Sequence, residues 1–170
     1  MSELAYIGLG ANLGDTRLAL EQALAALAAL PDTRLLAVSG AYRSAPVDAG
    51  GPDFLNAVAL LETRLTPETL LDALLAIELE QGRERPYRHA PRTLDLDLLL
   101  QGQARVETAR LSLPHPRLHL RAFVLQPLLE LSPDLQIPEL GNLRSHLAAT
   151  DGQAIERLPI TLSPVPRMTR

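Results

Sequence analysis

The sequence predicts an α+β domain with the ferredoxin-like three-layer sandwich, in which a mainly antiparallel central sheet has helices on both sides. Segments typical of strands and helices follow one another in the order β-α-β-β-α-β up to residue 100, which is the ferredoxin-like order. The 170 residues fit one compact domain. Because 46% of them are hydrophobic, a sizeable core is available.

The predicted strands are short apolar or alternating runs bounded by turn residues. Four of them fall in the first hundred residues, over 4–9, 35–42, 54–63 and 93–100. The first ends in a turn over 10–14 that contains two glycines. A loop rich in proline and glycine separates the second strand from the third.

Capping residues mark the two helices between these strands. Asp15 is a suitable N-cap for a helix over 16–30, after which a proline ends the pattern. Thr66 and Pro67 provide an N-cap and a first-position proline for a second helix that runs to Gln81.

The C-terminal part is predicted to add two helices and a tail. The first helix is expected over 121–131, with Pro127 in its first turns, and the second over 143–149. We expect a single domain over residues 1–158 and a Pro-rich tail over 159–170.

The composition excludes several classes of protein. The chain has no cysteine, so a disulfide framework, a thiolate zinc site and a cysteine nucleophile are excluded. No secretory signal and no apolar run of membrane-spanning length is found, and we expect a cytoplasmic protein. The net charge of −4 argues against a nucleic-acid partner.

Positive charge is concentrated in two short segments of this acidic chain. Residues 82–92 and 110–121 together contain seven arginines and one acidic residue. Such a distribution favours binding of a compact anion over binding of a polymer, although local charge clusters are often only solvated surface.

The strongest local feature is the pair Asp95 and Asp97 in the predicted strand over 93–100. Side chains alternate along a strand, so both carboxylates are expected on one face, with Cβ atoms about 6.5–7 Å apart. That spacing suits a pair of divalent ions about 3.5–4 Å apart, and Mg²⁺ combines such carboxylates with phosphate and water. The competing interpretation is an ordinary polar strand face, although Asp is disfavoured in strands.

Arginines on both sides of this strand could clamp the oxygens of a polyphosphate. The candidates are Arg83, Arg85, Arg92, Arg110 and Arg121. His115 lies between two prolines on a stiff loop and could bond a phosphate. Spacing alone fits a loop histidine without a function equally well.

The motif Pro-Arg-Thr-Leu-Asp-Leu-Asp-Leu-Leu-Leu over 91–100 closely resembles that of the 6-hydroxymethyl-7,8-dihydropterin pyrophosphokinases of folate synthesis. Similar segments occur in matching order and spacing over 6–13, 42–47, 52–57, 77–83 and 110–111. The resemblance extends from about residue 4 to residue 148.

The resemblance implies a role for each matching residue on the nucleotide side. Asp95 and Asp97 would coordinate two Mg²⁺ ions together with ATP, and Arg83 and Arg92 would engage the phosphates and support transfer. The other matches to nucleotide-contacting positions are Glu78, Arg85, Leu98, Arg110, Ser112, His115 and Arg121.

On the pterin side, the resemblance implies that Phe54 and Phe123, the only two phenylalanines, stack on the two faces of the ring. Core packing is the usual role of Phe, but a flat heterocycle is well held by aromatic faces. Asn56 would offer an amide donor and acceptor to the pterin edge. The backbone positions that would complete this edge are Ser44, Ala45 and Val47.

The implied reaction is attack of the pterin hydroxymethyl oxygen on the β-phosphorus of ATP, with AMP as the leaving group. Such chemistry depends on positioning and charge neutralisation, so no protein nucleophile is required, and no residue stands out as a general base. The expected partners are these small molecules, without nucleic acid or membrane, and a monomer is the default. Two other interpretations stay open, a non-catalytic nucleotide-binding module and a transferase of nucleotide sugars.

The chain departs from the commonest family pattern at a few positions. His89 replaces a Trp and Ala90 a Gly in the loop before the motif, and Leu75 replaces a polar residue near the adenine. These departures bear on how the loop closes over the site and not on which reaction occurs.

Overall fold

The computed structural model describes residues 1–45, 52–81 and 94–165. The strands within these ranges are β1 (Glu3–Ala11), β2 (Thr33–Val38), β3 (Ala41–Ser44), β4 (Phe54–Thr63), β5 (Asp95–Gln101), β6 (Val106–Glu107), β7 (Ser112–Leu113), β8 (Gln136–Ile137), β9 (Gly141–Asn142) and β10 (Ile155–Leu158). The helices are α1 (Thr16–Ala28), α2 (Pro67–Gln81) and α3 (Ala122–Leu131), and a 3₁₀ helix covers Leu143–Thr150.

The central sheet of the described residues has the strand order β10-β3-β4-β1-β5, and β2 also pairs with β4. Every pair in this sheet is antiparallel. Helices α1 and α2 pack on one face, and α3 packs on the other. The expected α+β sandwich with helices on both sides of the sheet is therefore confirmed.

Each face of the sheet has its own apolar core. The first core lies under α1 and α2 and includes the fully buried Leu24 and Leu74. The second core lies under α3 and includes Val58, Leu125 and Leu128. Burial of one such side chain contributes about 1.5–3 kcal/mol, so both cores stabilise the sheet that positions the site.

The prediction of a single strand over 35–42 is wrong, because the chain forms two strands there, β2 and β3, one after the other along the same edge of β4. Ser39 lies at the break between them. Its N–H donates to the Val58 carbonyl at 2.9 Å, and its hydroxyl oxygen accepts from the Val58 N–H at 2.9 Å. The Ser39 side chain therefore takes the place of a backbone carbonyl as the acceptor for Val58 N–H, and the hydrogen-bond ladder along β4 is interrupted here.

The other predicted elements agree with the structure to within a few residues at their ends. The Asp15 carboxylate accepts from Leu18 N–H at 3.1 Å, which confirms the N-cap. Arg121 is the cap residue of α3 and not its first helical residue. The helix predicted over 143–149 is a 3₁₀ helix that begins after Asn142, whose side chain caps it.

Strand β10 has no counterpart among the predicted elements. It pairs with β3 at the edge of the central sheet. Beyond it, Leu162 is buried in the first core, and Ser163 N–H donates to the Glu21 carboxylate of α1 at 2.9 Å. The division between a domain over 1–158 and a tail over 159–170 stays a prediction.

Candidate active site

A row of residues crosses four adjacent strands on the sheet face that is covered by α3. In register, Tyr42 of β3 is opposite Asn56 of β4, Asn56 is opposite Gly10 of β1, and Gly10 is opposite Asp95 of β5. Directly opposed residues of antiparallel strands share a face. The sheet therefore brings the predicted amide and the predicted carboxylates onto one surface.

The two aspartates of β5 lie on that surface, as predicted. Leu96 and Leu98 are buried in the first core, under α1 and α2. Asp95 and Asp97 alternate with them, Asp95 half-buried and Asp97 exposed. Alternation along the strand thus separates the acidic face from the apolar face.

Glycines of β1 lie opposite both aspartates. Gly10 pairs with Asp95 and Gly8 with Asp97. A β-carbon on Gly10 would lie 3.4 Å from Asn56 Oδ1 and 3.7 Å from Cδ1 of Phe54. Because glycine has no side chain, space is left between the carboxylates and the Asn56–Phe54 pair.

The two carboxylates suit Mg²⁺ as a partial set of ligands. Among residues 1–45, 52–81 and 94–165, no group of three or more His, Cys, Asp or Glu side chains could hold a metal. Mg²⁺ is commonly held by one or two carboxylates while substrate phosphates and water supply the remaining ligands. The donor set therefore fits an ion that arrives with a polyphosphate.

His115 is held close to the acidic pair. Its backbone N–H donates to the Leu99 carbonyl of β5 at 2.9 Å, which fixes the loop to the strand that contains the aspartates. Its Nδ1 accepts from the backbone N–H of Arg117 at 3.1 Å. In the neutral ring the proton is therefore on Nε2, which is left as a donor.

The charges around His115 show which residues are gathered here. Burial lowers the pKa of His115 below its ordinary value of 6.5, the negative charge of Asp97 opposes that shift, and the positive charges of Arg121 and Arg117 reinforce it. The structure thus brings Asp97, His115 and Arg121 into one electrostatic neighbourhood.

Arg121 connects this neighbourhood to the aromatic part of the site. It is the cap residue at the start of α3. Its guanidinium carbon lies 5.6 Å from the centroid of the Phe123 ring, a cation–π distance. Phe123 is half-buried against the second core.

The residues predicted to bind the pterin edge form a bonded group. Asn56 Nδ2 donates to Ser44 Oγ at 2.7 Å and to the Tyr42 carbonyl at 3.1 Å. Both N–H groups of the amide are thereby used, and Oδ1 faces the space above Gly10. Phe54 is opposite Ser44 in the β3–β4 pair, and Ala45 is exposed just beyond Ser44.

Some predicted nucleotide residues lie elsewhere in the fold. The Leu98 side chain is buried in the first core, on the sheet face opposite the aspartates. Glu78 of α2 accepts from the Leu96 backbone N–H at 2.7 Å and thereby fixes β5. Arg110 forms ion pairs with Asp72 and Glu68 of α2 at the exposed surface.

Ser112 and His115 line one cavity. Its volume is about 830 Å³, and it lies between the β6–β7 hairpin and residues 138–140. Local sequence patterns do not indicate this cavity, because its two walls are distant in sequence. Of the remaining predicted site residues, Val47, Arg83, Arg85 and Arg92 lie outside the described residues.

Sequence similarity identifies relatives of the whole domain. A family model described as 7,8-dihydro-6-hydroxymethylpterin-pyrophosphokinase (HPPK) matches residues 6–133. A Pseudomonas aeruginosa protein named 2-amino-4-hydroxy-6-hydroxymethyldihydropteridine pyrophosphokinase is 51% identical over 160 residues, which cover 94% of this chain and 99% of that protein. A Bacillus subtilis protein of the same name is 41% identical over 137 residues, which cover 80% of this chain and 82% of that protein.

Structural similarity agrees at the level of the fold. A crystal structure of Plasmodium falciparum HPPK-DHPS superposes with a TM-score of 0.69 at 13% identity. The match covers 87% of this chain and 45% of that longer one. At this identity the likeness shows the fold alone.

Proposed function

The chain belongs to the 7,8-dihydro-6-hydroxymethylpterin-pyrophosphokinase family and performs the pyrophosphokinase step of folate biosynthesis as an ATP-dependent diphosphotransferase, and we propose how its residues divide that reaction. The relatives are named as pyrophosphokinases, so the interpretation as a non-catalytic nucleotide-binding module has no support. In the proposed reaction the pterin hydroxymethyl oxygen attacks the β-phosphorus of ATP. The bond from that phosphorus to the α-phosphate oxygen breaks, the hydroxyl proton passes to solvent, and AMP leaves.

The observation that best supports the proposed roles of these residues is the row from Asn56 through Gly10 to Asp95. Neighbouring strands lie about 4.8 Å apart, so Asn56 and Asp95 are roughly 10 Å apart on one surface, a spacing that supports neighbouring acceptor and donor sub-sites. A pterin ring beside Asn56 would thus extend its hydroxymethyl group toward a polyphosphate held beside Asp95. Such proximity supplies much of the rate enhancement in transfer reactions.

Asp95 and Asp97 would hold two Mg²⁺ ions. When bound, Mg²⁺ neutralises charge on the polyphosphate oxygens. The carboxylates would hold these ions on the same sheet face as Asn56, where the ions would supply positive charge to the polyphosphate. Because Asp97 is exposed and Asp95 is half-buried, there is room for the additional phosphate and water ligands that Mg²⁺ requires.

The polyphosphate would be held further by groups around the loop of His115. The Nε2–H of the neutral His115 ring donates to a phosphate oxygen, and the guanidinium of Arg121 adds positive charge beside Asp97. We assign supporting contacts with phosphates and nucleotide to Arg83, Arg85, Arg92, Arg110 and Ser112. Leu98, which is buried on the opposite sheet face, and Glu78, which accepts from the Leu96 N–H, would support β5 itself.

The pterin would be held between Phe54 of the sheet and Phe123 of α3. Because both N–H groups of Asn56 are used within the protein, its Oδ1 accepts from a pterin N–H. The acceptor atoms of the pterin edge would receive hydrogen bonds from backbone N–H groups near Ser44, Ala45 and Val47. This differs from the expectation that Asn56 supplies both donor and acceptor.

The decisive experiment identifies the product. The protein is incubated with ATP, MgCl₂ and 6-hydroxymethyl-7,8-dihydropterin, and nucleotides are separated by chromatography. AMP formed in equal amount to pterin diphosphate is expected, and chelation of Mg²⁺ should stop its formation. ADP, or AMP that forms without the pterin, would contradict the proposed reaction.

We also propose that the protein works as a cytoplasmic monomer, without nucleic acid or membrane, through the domain over 1–158. The absence of cysteine and the net charge of −4 support this proposal. In the described part of the chain, no helix is both long and apolar enough to cross a bilayer. Size-exclusion chromatography with light scattering should give a mass near the 18.5 kDa of one chain.

A further inference from the structure

Glu130 lies at the centre of a hydrogen-bonded cluster at the C-terminal end of α3. Its Oε1 accepts from the Tyr42 hydroxyl at 2.6 Å and from Arg157 Nε at 3.3 Å. Its Oε2 accepts from the Gly40 backbone N–H at 2.9 Å and from Arg157 Nη2 at 3.5 Å. One carboxylate thus joins α3 to the start of β3 and to the edge strand β10.

The charge states of this cluster favour persistent bonds. Burial and the hydrogen bond to Glu130 raise the pKa of Tyr42 to about 12, so the phenol keeps its proton at neutral pH. Burial tends to raise the pKa of Glu130, but the bonds from Tyr42, Gly40 and Arg157 outweigh it and lower the pKa. A charged acceptor with a neutral phenol donor forms a strong hydrogen bond.

The fold makes room for this cluster at Gly40. A β-carbon there would lie 2.8 Å from Arg157 Nη2 and 2.9 Å from Arg157 Nε. No other residue could therefore occupy position 40 while the guanidinium keeps its place against Glu130. The glycine at position 40 thus accommodates Arg157 of β10, which lies more than a hundred positions later in the chain.

The cluster connects both halves of the proposed pterin site. Tyr42 belongs to the cross-sheet row, and its carbonyl accepts from Asn56 Nδ2 at 3.1 Å. Phe123 lies on α3 seven residues before Glu130, which is two helical turns and the same side of the helix. Between them, Pro127 has no N–H to donate to the Phe123 carbonyl, so the helix itself restrains the Phe123 end less firmly.

We propose that Glu130 is a positioning residue for the pterin, which fixes the helix bearing Phe123 against the strand that orients Asn56. This inference rests on the proposed function, because the pterin is taken to lie between these residues. Glu130 itself does not touch the substrate. It acts through Tyr42 on the sheet side and through α3 on the aromatic side.

The test compares KM for the pterin with KM for ATP in Glu130→Gln and in the milder Tyr42→Phe, which removes only one hydroxyl. Each variant loses or weakens a hydrogen bond to a charged group, so pterin KM is expected to rise about tenfold. ATP KM should stay within about twofold of the wild type. Because the Tyr42 hydroxyl contributes only through its bond to Glu130, the double variant should be no worse than Glu130→Gln alone.

Glu156→Gln is the matched control, since it breaks an exposed ion pair with Arg43 between the same two strands. It should leave both KM values unchanged. Equal changes in the two KM values, unchanged pterin KM in an otherwise active Tyr42→Phe, or additive effects in the double variant would overturn the inference. If the wild-type chain released no AMP, the proposed function itself would fail, which separates the two outcomes.

Discussion

The two ends of the row that crosses the sheet differ in how deeply their polar groups are buried. At the proposed pterin end, Asn56 is 3% exposed and its amide nitrogen is bonded to Ser44 and Tyr42. At the proposed polyphosphate end, the row reaches the half-buried Asp95, and Asp97 beside it is exposed and has a glycine opposite it in β1. The proposed pterin end is therefore organised before any ligand binds, whereas Asp97 at the acidic end is open to solvent and accessible to a ligand.

This difference separates stability from activity along a single row. A buried, bonded amide contributes to folding, because its removal leaves partners without hydrogen bonds. An exposed carboxylate beside another carboxylate contributes little to folding, and its main effect is on binding. Substitutions at the two ends should therefore have opposite profiles, and the following tests address that contrast.

The largest effect is expected for Asp97→Asn. It removes the negative charge but keeps the size of the side chain, and we expect kcat/KM for AMP formation to fall by about 10²–10³-fold. The free energy of unfolding should change by less than about 0.5 kcal/mol, since the site is exposed. AMP release and urea unfolding measure the two quantities, with the exposed Glu107→Gln of β6 as the control. Normal turnover in Asp97→Asn at saturating Mg²⁺ would refute the metal assignment.

Asn56→Ala should lower stability and leave nucleotide binding near that of the wild type, the reverse of the effects expected for Asp97→Asn. It leaves the Ser44 hydroxyl and the Tyr42 carbonyl without their donor, which should lower the free energy of unfolding by about 1–3 kcal/mol. Pterin KM should rise while ATP KM stays near wild type. Ser44→Ala, which loses one of these bonds, is the graded control and should destabilise less. Unchanged stability in Asn56→Ala would mean that the pterin end is not organised in advance.

The glycines of β1 allow a matched pair of substitutions. In Gly10→Ala the new methyl would fill the space beside Asn56 Oδ1, at 3.4 Å, and the Phe54 ring, at 3.7 Å, whereas in Gly8→Ala it would contact the Leu99 side chain at 3.5 Å. We expect pterin KM to rise about tenfold in Gly10→Ala, because the methyl would occupy space proposed for the pterin, and a tenfold loss of affinity corresponds to roughly 1.4 kcal/mol. Steady-state kinetics should show a smaller change in Gly8→Ala. Equal effects would show that the space above Gly10 is not specific to the pterin.

The smallest expected effect concerns pH and lies outside the row. Burial, and then the neighbouring His146, lower the pKa of His119 below its ordinary 6.5. The unfolded chain therefore binds more protons, so the free energy of unfolding should fall as pH drops below about 6.5 and level off below the folded-state pKa. Urea unfolding between pH 7.5 and pH 5 measures this loss.

His119→Gln is the comparison variant for the pH test. It should have a flatter dependence of stability on pH than the wild type, while pterin KM at pH 7.5 stays unchanged. His115 also has a lowered pKa, so part of the dependence should persist in this variant. An unchanged slope in His119→Gln would assign the whole effect to other groups.

Local patterns in the sequence were sufficient for the sandwich order and for the acidic face of β5. Alternation of Asp and Leu fixes which side chains share a face, because the strand repeats every two residues. The Asp15 cap and the Thr66–Pro67 helix start are likewise local, since each depends on neighbours within one turn. The resemblance to a known family added the assignment of Asn56 and the two phenylalanines to the pterin, which no local pattern specifies.

Pairings between distant segments were decided only by the tertiary structure. The break at Ser39 depends on hydrogen bonds with Val58, and the role of Gly40 depends on Arg157 of a strand that local propensity did not indicate. The orientation of Asn56, with its donors turned inward, depends on the register between β3 and β4. Local preferences determine which elements form, but contacts between residues far apart in sequence depend on how those elements pack, and these contacts set the polar geometry of the site.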